Sequence, residues 1–163
     1  MVAPLVKVDT HSKIELYEVL LRQCKALLEG ESDMIANAAN FSSLLYLSLP
    51  DVNWVGFYFY KAPELVLGPF QGKPACVRIP LGKGVCGTAA QLNTTIVVAD
   101  VHDFEGHIAC DADSNSEIVV PLVYANQLIG VLDIDSPLRN RFDDTDKIAL
   151  EQLVAILLEF SRL

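Results

Sequence analysis

The sequence predicts an α+β domain in which helices at both ends of the chain cover one face of a mostly antiparallel sheet. Three observations point there. Apolar residues recur three and four apart near both ends, short aromatic and β-branched runs broken by Gly and Pro fill the middle, and the apolar content suits one core. With 163 residues, 52% of them hydrophobic, the chain can bury roughly 70% of its unfolded surface in one core, so residues 1–163 are expected to form a single domain.

The first helix is predicted from Ile14 to Leu28, where Leu16, Tyr17, Leu20, Leu21, Cys24, Leu27 and Leu28 make one apolar stripe that ends at Gly30. A second runs from about Ser32 to Leu47, with Ser32 and Asp33 in its N-terminal turn and Pro50 as the stop. The pattern then changes to strands over Asn53–Tyr60, Glu64–Phe70 and Cys76–Pro80. A short helix, Gly84–Leu92, follows a Gly-Lys-Gly turn, and Thr94–Ala99 is a compact β-branched strand. After a polar loop from Asp100 to Ser116 come two strands, Glu117–Tyr124 and Leu128–Asp133, joined by Ala125-Asn126-Gln127. A closing helix over Asp143–Phe160 carries acidic residues in its first turn, where they complement the helix dipole.

Composition removes several function classes. Twelve basic against 21 acidic side chains give a net charge of -9, which argues against a nucleic-acid backbone or an anionic membrane as partner. No apolar run approaches the roughly 18 residues needed to cross a bilayer. The start Met-Val-Ala-Pro-Leu-Val-Lys-Val lacks the pattern of an export signal, so a cytoplasmic location is expected and the four cysteines are expected to rest as thiols.

Chemistry concentrates between Cys76 and Cys110. Cys110 lies in the polar loop Gly-His-Ile-Ala-Cys-Asp-Ala-Asp-Ser-Asn-Ser-Glu, residues 106–117, where a thiol reaches solvent, and it is the candidate nucleophile. His107 could favour its thiolate and Asp111 and Asp113 oppose it, so the net field is open. Cys76 and Cys86 are each candidates to resolve a sulfenic acid on Cys110, and each is equally well read as a buried structural cysteine. Cys24, on the apolar stripe of the first helix, belongs to the core. Zinc held by His102, His107 and Cys110 ranks below thiol chemistry, because that spacing matches no zinc signature; neither a metal nor a bound cofactor is expected. Asp133 and Asp135 alternate around Ile134 and so face one side of an extended chain, and if Glu117 joins them in a pocket, burial and mutual repulsion make one an acid near neutrality. Trp54, the one tryptophan, either walls a pocket or fills the core.

Taken together, Asn53-Trp-Val-Gly-Phe-Tyr, Gly84-Val-Cys-Gly-Thr-Ala, Gly106-His-Ile-Ala-Cys-Asp, Ser114-Asn-Ser-Glu-Ile-Val-Val-Pro-Leu and Gly130-Val-Leu-Asp-Ile-Asp-Ser-Pro resemble the free methionine-(R)-sulfoxide reductases, which are single GAF domains. The resemblance runs from about Leu16 to the end. It implies a six-stranded antiparallel sheet with helices on one face, a small closed pocket, and a homodimer. It implies further that Cys110 attacks the sulfoxide sulfur, that Cys76 condenses with the resulting sulfenic acid to a disulfide, that Cys86 joins a further exchange, and that thioredoxin restores the thiols. Glu117, Asp133 and Asp135 are then expected to hold the substrate and protonate its oxygen, and Trp54 to wall the methyl group.

Two other readings compete. A GAF sensor would bind a small molecule and pass a shape change to an output domain, and a thiol peroxidase would need the cysteine but no amino-acid pocket.

Overall fold

A computed structural model describes Leu5 and residues 9–163; the expectation about an export signal rests on residues 1–8 and so lies almost wholly outside the described part. Among the described residues, no helix is long and apolar enough to cross a membrane. The order is α1 (Lys13–Leu28), α2 (Met34–Ser48), β1 (Trp54–Lys61), β2 (Glu64–Gly72), β3 (Arg78–Pro80), α3 (Gly84–Leu92), β4 (Ile96–Val98), a 3-10 turn (Val101–Asp103), β5 (Ser116–Tyr124), β6 (Gln127–Ser136) and α4 (Asp144–Phe160). The strands form one six-stranded antiparallel sheet in the order β3-β2-β1-β6-β5-β4.

Caps set the helix ends. The side chain of Ser12 accepts from the Glu15 N–H, Asp33 accepts from Ala36, and Asp143 with Asp146 closes a reciprocal capping box on α4. The predicted start of the second helix at Ser32 therefore moves to Met34, because Asp33 is the cap and Ser32 lies outside the helix. Asp146 also ties α1 to α4. It is fully buried, accepts a 2.6 Å hydrogen bond from the Tyr17 hydroxyl, and pairs with Lys13 at 2.7 Å and Arg141 at 3.3 Å, which compensates its desolvation.

Pairing between strands sorts their residues onto two faces. Val55 lies opposite Ile134, which lies opposite Ile118, and the next row on that face is Phe57, Leu132 and Val120. These six pack with α1, α2 and α4 into a closed apolar core, where Phe41 meets Phe57 at 5.4 Å between ring centroids. On the other face Trp54 lies opposite Asp135, which lies opposite Glu117, and Gly56 lies opposite Asp133, which lies opposite Val119. Gly56 leaves the room that Trp54 and Phe70 need to stack, since a Cβ there would come within 2.3 Å of the Phe70 Cβ and 2.7 Å of the Trp54 ring.

The expectation of helices on one face holds for α1, α2 and α4. In contrast, α3 packs against the other face, and its Val85, Cys86, Ala89 and Ala90 join Trp54, Tyr58, Val119 and Val131 in a second cluster. Periodicity identifies which stripe of a helix is buried, but not which side of a sheet receives it. Strand limits also differ from expectation, and two of the shifts bear on the site. Cys76 precedes β3 rather than opening it, and β6 continues past Asp133 to Ser136, because β1 and β5 pair with it through Asp135.

Candidate active site

Trp54, Tyr58, Cys86, His107, Cys110, Glu117, Asp133 and Asp135 all line one cavity, of about 40 Å³, on the face that carries α3. Register explains the acids. Glu117 and Asp135 are cross-strand partners, Asp133 is two residues along the same face, and the three carboxylates project from the central strands toward α3. Glu117 and Asp133 are each 6% exposed.

Burial raises the pKa of all three. For Glu117 desolvation is the largest cause, followed by the charges of Asp133 and Asp135, and it lies well above the ordinary carboxylate range. Asp135 is raised in the same way by burial, then by Asp133 and Asp111, and Asp133 is raised by burial. Among the described residues no lysine or arginine lies within ion-pair distance of any of them; His107 Nε2 is 3.8 Å from Glu117 Oε2. His107 is itself held below its ordinary pKa, mainly by burial, so near neutral pH it supplies no positive field for Cys110. The site therefore holds protons on carboxylates at a pH where exposed ones have lost them.

The cysteines divide into two pairs. Cys76 and Cys110 form a disulfide with Cα atoms 5.7 Å apart, inside the roughly 4.4–6.8 Å window for direct bridging. Cys110 sits in an exposed loop, as its polar sequence predicts. Cys86 is buried in the first turn of α3 with its thiol 3.9 Å from Glu117 Oε1, and burial, then Asp133 and Glu117, raise its pKa. Cys24 is fully buried in the apolar core, where desolvation pushes it up to about 12.

Two segments meet at the cavity mouth, held by Trp54, which the sequence nominated, and by Tyr58 and Lys73, which it did not. The Trp54 indole N–H donates to the Lys73 carbonyl at 3.1 Å, and the Tyr58 hydroxyl donates to the Cys76 carbonyl at 2.9 Å. The two rings stack with centroids 6.0 Å apart, so Trp54 both walls the cavity and belongs to the second cluster. Lys73 reaches across to Asp113 and, at 3.6 Å, to Asp111 on the Cys110 loop. Tyr58 carries a sequence signal, being four residues after Trp54 and hence on the same strand face. Lys73 carries none. His102 turns away to Asp100 at 2.7 Å, so His102, His107 and Cys110 do not assemble.

Comparison with known proteins agrees with this geometry. The GAF domain family matches residues 14–160. The chain is 59% identical over 146 residues to the free methionine-R-sulfoxide reductase of Escherichia coli, covering 90% of this chain and 88% of that protein. Among solved structures, the free methionine-R-sulfoxide reductase of Neisseria meningitidis in complex with its substrate superposes with a TM-score of 0.94 at 44% identity, covering 98% of this chain and 95% of that one. The fRMsr of Staphylococcus aureus, also in complex with substrate, gives 0.86 at 52% identity, covering 96% and 99%. The chain belongs to the free methionine-R-sulfoxide reductase family of GAF-fold oxidoreductases.

Proposed function

We propose that the chain reduces free L-methionine-(R)-sulfoxide to methionine through a sulfenic acid on Cys110 and a disulfide with Cys76. One observation carries the reading: the Cys76–Cys110 disulfide bridges the mouth of a cavity lined by three buried, protonation-prone carboxylates. A sulfoxide oxygen leaves sulfur only after protonation, so the reaction needs a thiol and an acid facing one substrate atom.

The steps balance as follows. The Cys110 thiolate attacks the sulfoxide sulfur while one of Glu117, Asp133 and Asp135 protonates the oxygen. Methionine leaves with its sulfur reduced, and the oxygen stays on Cys110 as sulfenic acid. Cys76 then attacks the Cys110 sulfur, a disulfide forms and water is released. An external dithiol, expected to be thioredoxin, takes over the oxidation and returns both thiols. The family resemblance assigns Cys86 to a secondary exchange.

Substrate choice follows from the walls. An ionised Asp133 or Asp135 suits the ammonium of a free amino acid, a group that a methionine inside a peptide lacks, and Trp54 with Tyr58 offers an apolar wall to the methyl group. In the disulfide form the Cys110 sulfur is bonded to Cys76 and has no thiolate with which to attack a sulfoxide. Substrate therefore enters the thiol form, with the Cys110 loop released from Cys76. The protein is expected to work as a cytoplasmic homodimer with no bound cofactor.

Single-turnover chemistry tests the assignment. Cys76→Ser should yield one methionine per protein and leave a sulfenic acid on Cys110 that dimedone traps, whereas Cys110→Ser should yield none, a loss of at least about 10³-fold. Full activity in Cys110→Ser overturns the reading.

A further inference from the structure

We propose that Cys86, Glu117 and Asp133 form a zinc-binding site inside the cavity, using a thiol that takes no part in the redox pair. The sulfur of Cys86 and one carboxylate oxygen from each acid lie within 4.8 Å of one another, and the Cys86–Glu117 separation is 3.9 Å. Bonds of about 2.3 Å to sulfur and 2.0 Å to oxygen place tetrahedral ligands roughly 3.3–3.5 Å apart, so rotamer adjustments bring all three onto one ion.

A second observation points to a cation independently. Asp133 Oδ1 is buried without any hydrogen-bond partner, although its side chain lines the cavity. A buried carboxylate oxygen without a donor is a costly arrangement that a cation relieves. Glu117, Asp133 and Asp135 have no lysine or arginine within ion-pair reach among the described residues, Lys73 being engaged by Asp111 and Asp113. His107 Nε2 lies 3.8 Å from Glu117 Oε2, outside the three-residue group but on its border.

The donor set selects the ion. Magnesium and calcium favour all-oxygen shells and copper(I) favours sulfur, whereas one sulfur with two oxygens and a nearby imidazole suits zinc. Binding exchanges the thiol proton for Zn–S coordination and involves no electron transfer. On the reading proposed above, zinc occupies the place of the substrate ammonium and so inhibits in competition with sulfoxide.

The disulfide form isolates the site, because Cys76 and Cys110 are joined while Cys86 and Cys24 remain free thiols. Cadmium, a spectroscopic stand-in for zinc, is titrated into that form without reductant, and sulfur-to-cadmium charge-transfer absorption in the ultraviolet is followed. A band that saturates at one equivalent and is displaced by zinc is expected. It should vanish in Cys86→Ser, persist in Cys24→Ser, and require at least about tenfold more metal in Asp133→Asn. No band in the wild type, or a band retained in a folded Cys86→Ser, overturns the proposal. Should Cys86→Ser fail to fold, Asp133→Asn decides, and unchanged affinity there refutes the site. The readout involves no turnover, so failure of the zinc site and failure of the reductase reading are separable.

Discussion

On the face covered by α1, α2 and α4, the central strands present Val55, Phe57, Ile118, Val120, Leu132 and Ile134. On the opposite face, alternate residues of the same strands present Trp54, Tyr58, Glu117, Asp133 and Asp135. The strands, and even their hydrogen bonds, are shared; only the parity of the residue differs. The first face buries apolar groups alone, each adding to stability through area removed from water. The second buries carboxylates without counter-charges, which detracts from stability and poises protons for use. A sheet of this kind lets one layer sustain the fold while the other holds groups in states that water would not permit.

Truncating the closed face should produce the largest change. Phe57→Ala removes a fully buried ring that packs on Phe41 and Phe59, and should destabilise by about 3–5 kcal/mol, measured by urea unfolding. If that loss proves smaller than the loss from truncating a residue of the cavity face, the division of labour is wrong.

Glu117→Gln sharpens the contrast, because function and stability should move in opposite directions. Turnover should fall about 10²-fold as the acid is lost, measured as methionine formed at saturating sulfoxide. The folded protein binds this proton more tightly than the unfolded chain, so Glu117 costs stability as pH rises from the ordinary carboxylate range toward its raised pKa. The variant should therefore unfold at a higher temperature than wild type at about pH 8, with a smaller gain at about pH 5. A variant equally or less stable at both values would contradict the burial argument.

A smaller effect is expected of Tyr58→Phe. It keeps the stacking on Trp54 and deletes only the hydrogen bond to the Cys76 carbonyl, costing about 1 kcal/mol. Because that bond fixes the segment bearing Cys76, disulfide formation should slow a fewfold relative to methionine release, a ratio readable by quenched-flow. Equal slowing of both steps would assign Tyr58 to the cavity wall alone.

Much of this contrast is legible in the chain itself. The spacing of Asp133 and Asp135 around Ile134 places them on one face, and α3 is found from Gly84 to Leu92 as predicted, its Gly-rich start and Asn93 cap being local signals. The polar loop around Cys110 is exposed, and Cys24 is core, both for reasons of immediate neighbourhood. The missing parts depend on distant residues. The reach of Lys73 to Asp113, the pairing of His107 with Glu117 and the burial of Asp146 beneath Lys13 and Tyr17 join residues 10 to 133 positions apart, and no local pattern encodes them. The side of the sheet that α3 occupies is likewise set by the crossovers, not by its own stripe. Choosing Cys76 over Cys86 as the partner of Cys110 came from the family resemblance, since the residue types alone left both open.

The most direct test counts thiols. Fully reduced wild-type protein, given one equivalent of free methionine-(R)-sulfoxide without any external reductant, is denatured, alkylated and mapped by mass spectrometry. One methionine per chain should appear, with Cys76 and Cys110 joined and Cys24 and Cys86 still alkylated. Four alkylated cysteines, or a disulfide that engages Cys86 in place of Cys76, would contradict the account.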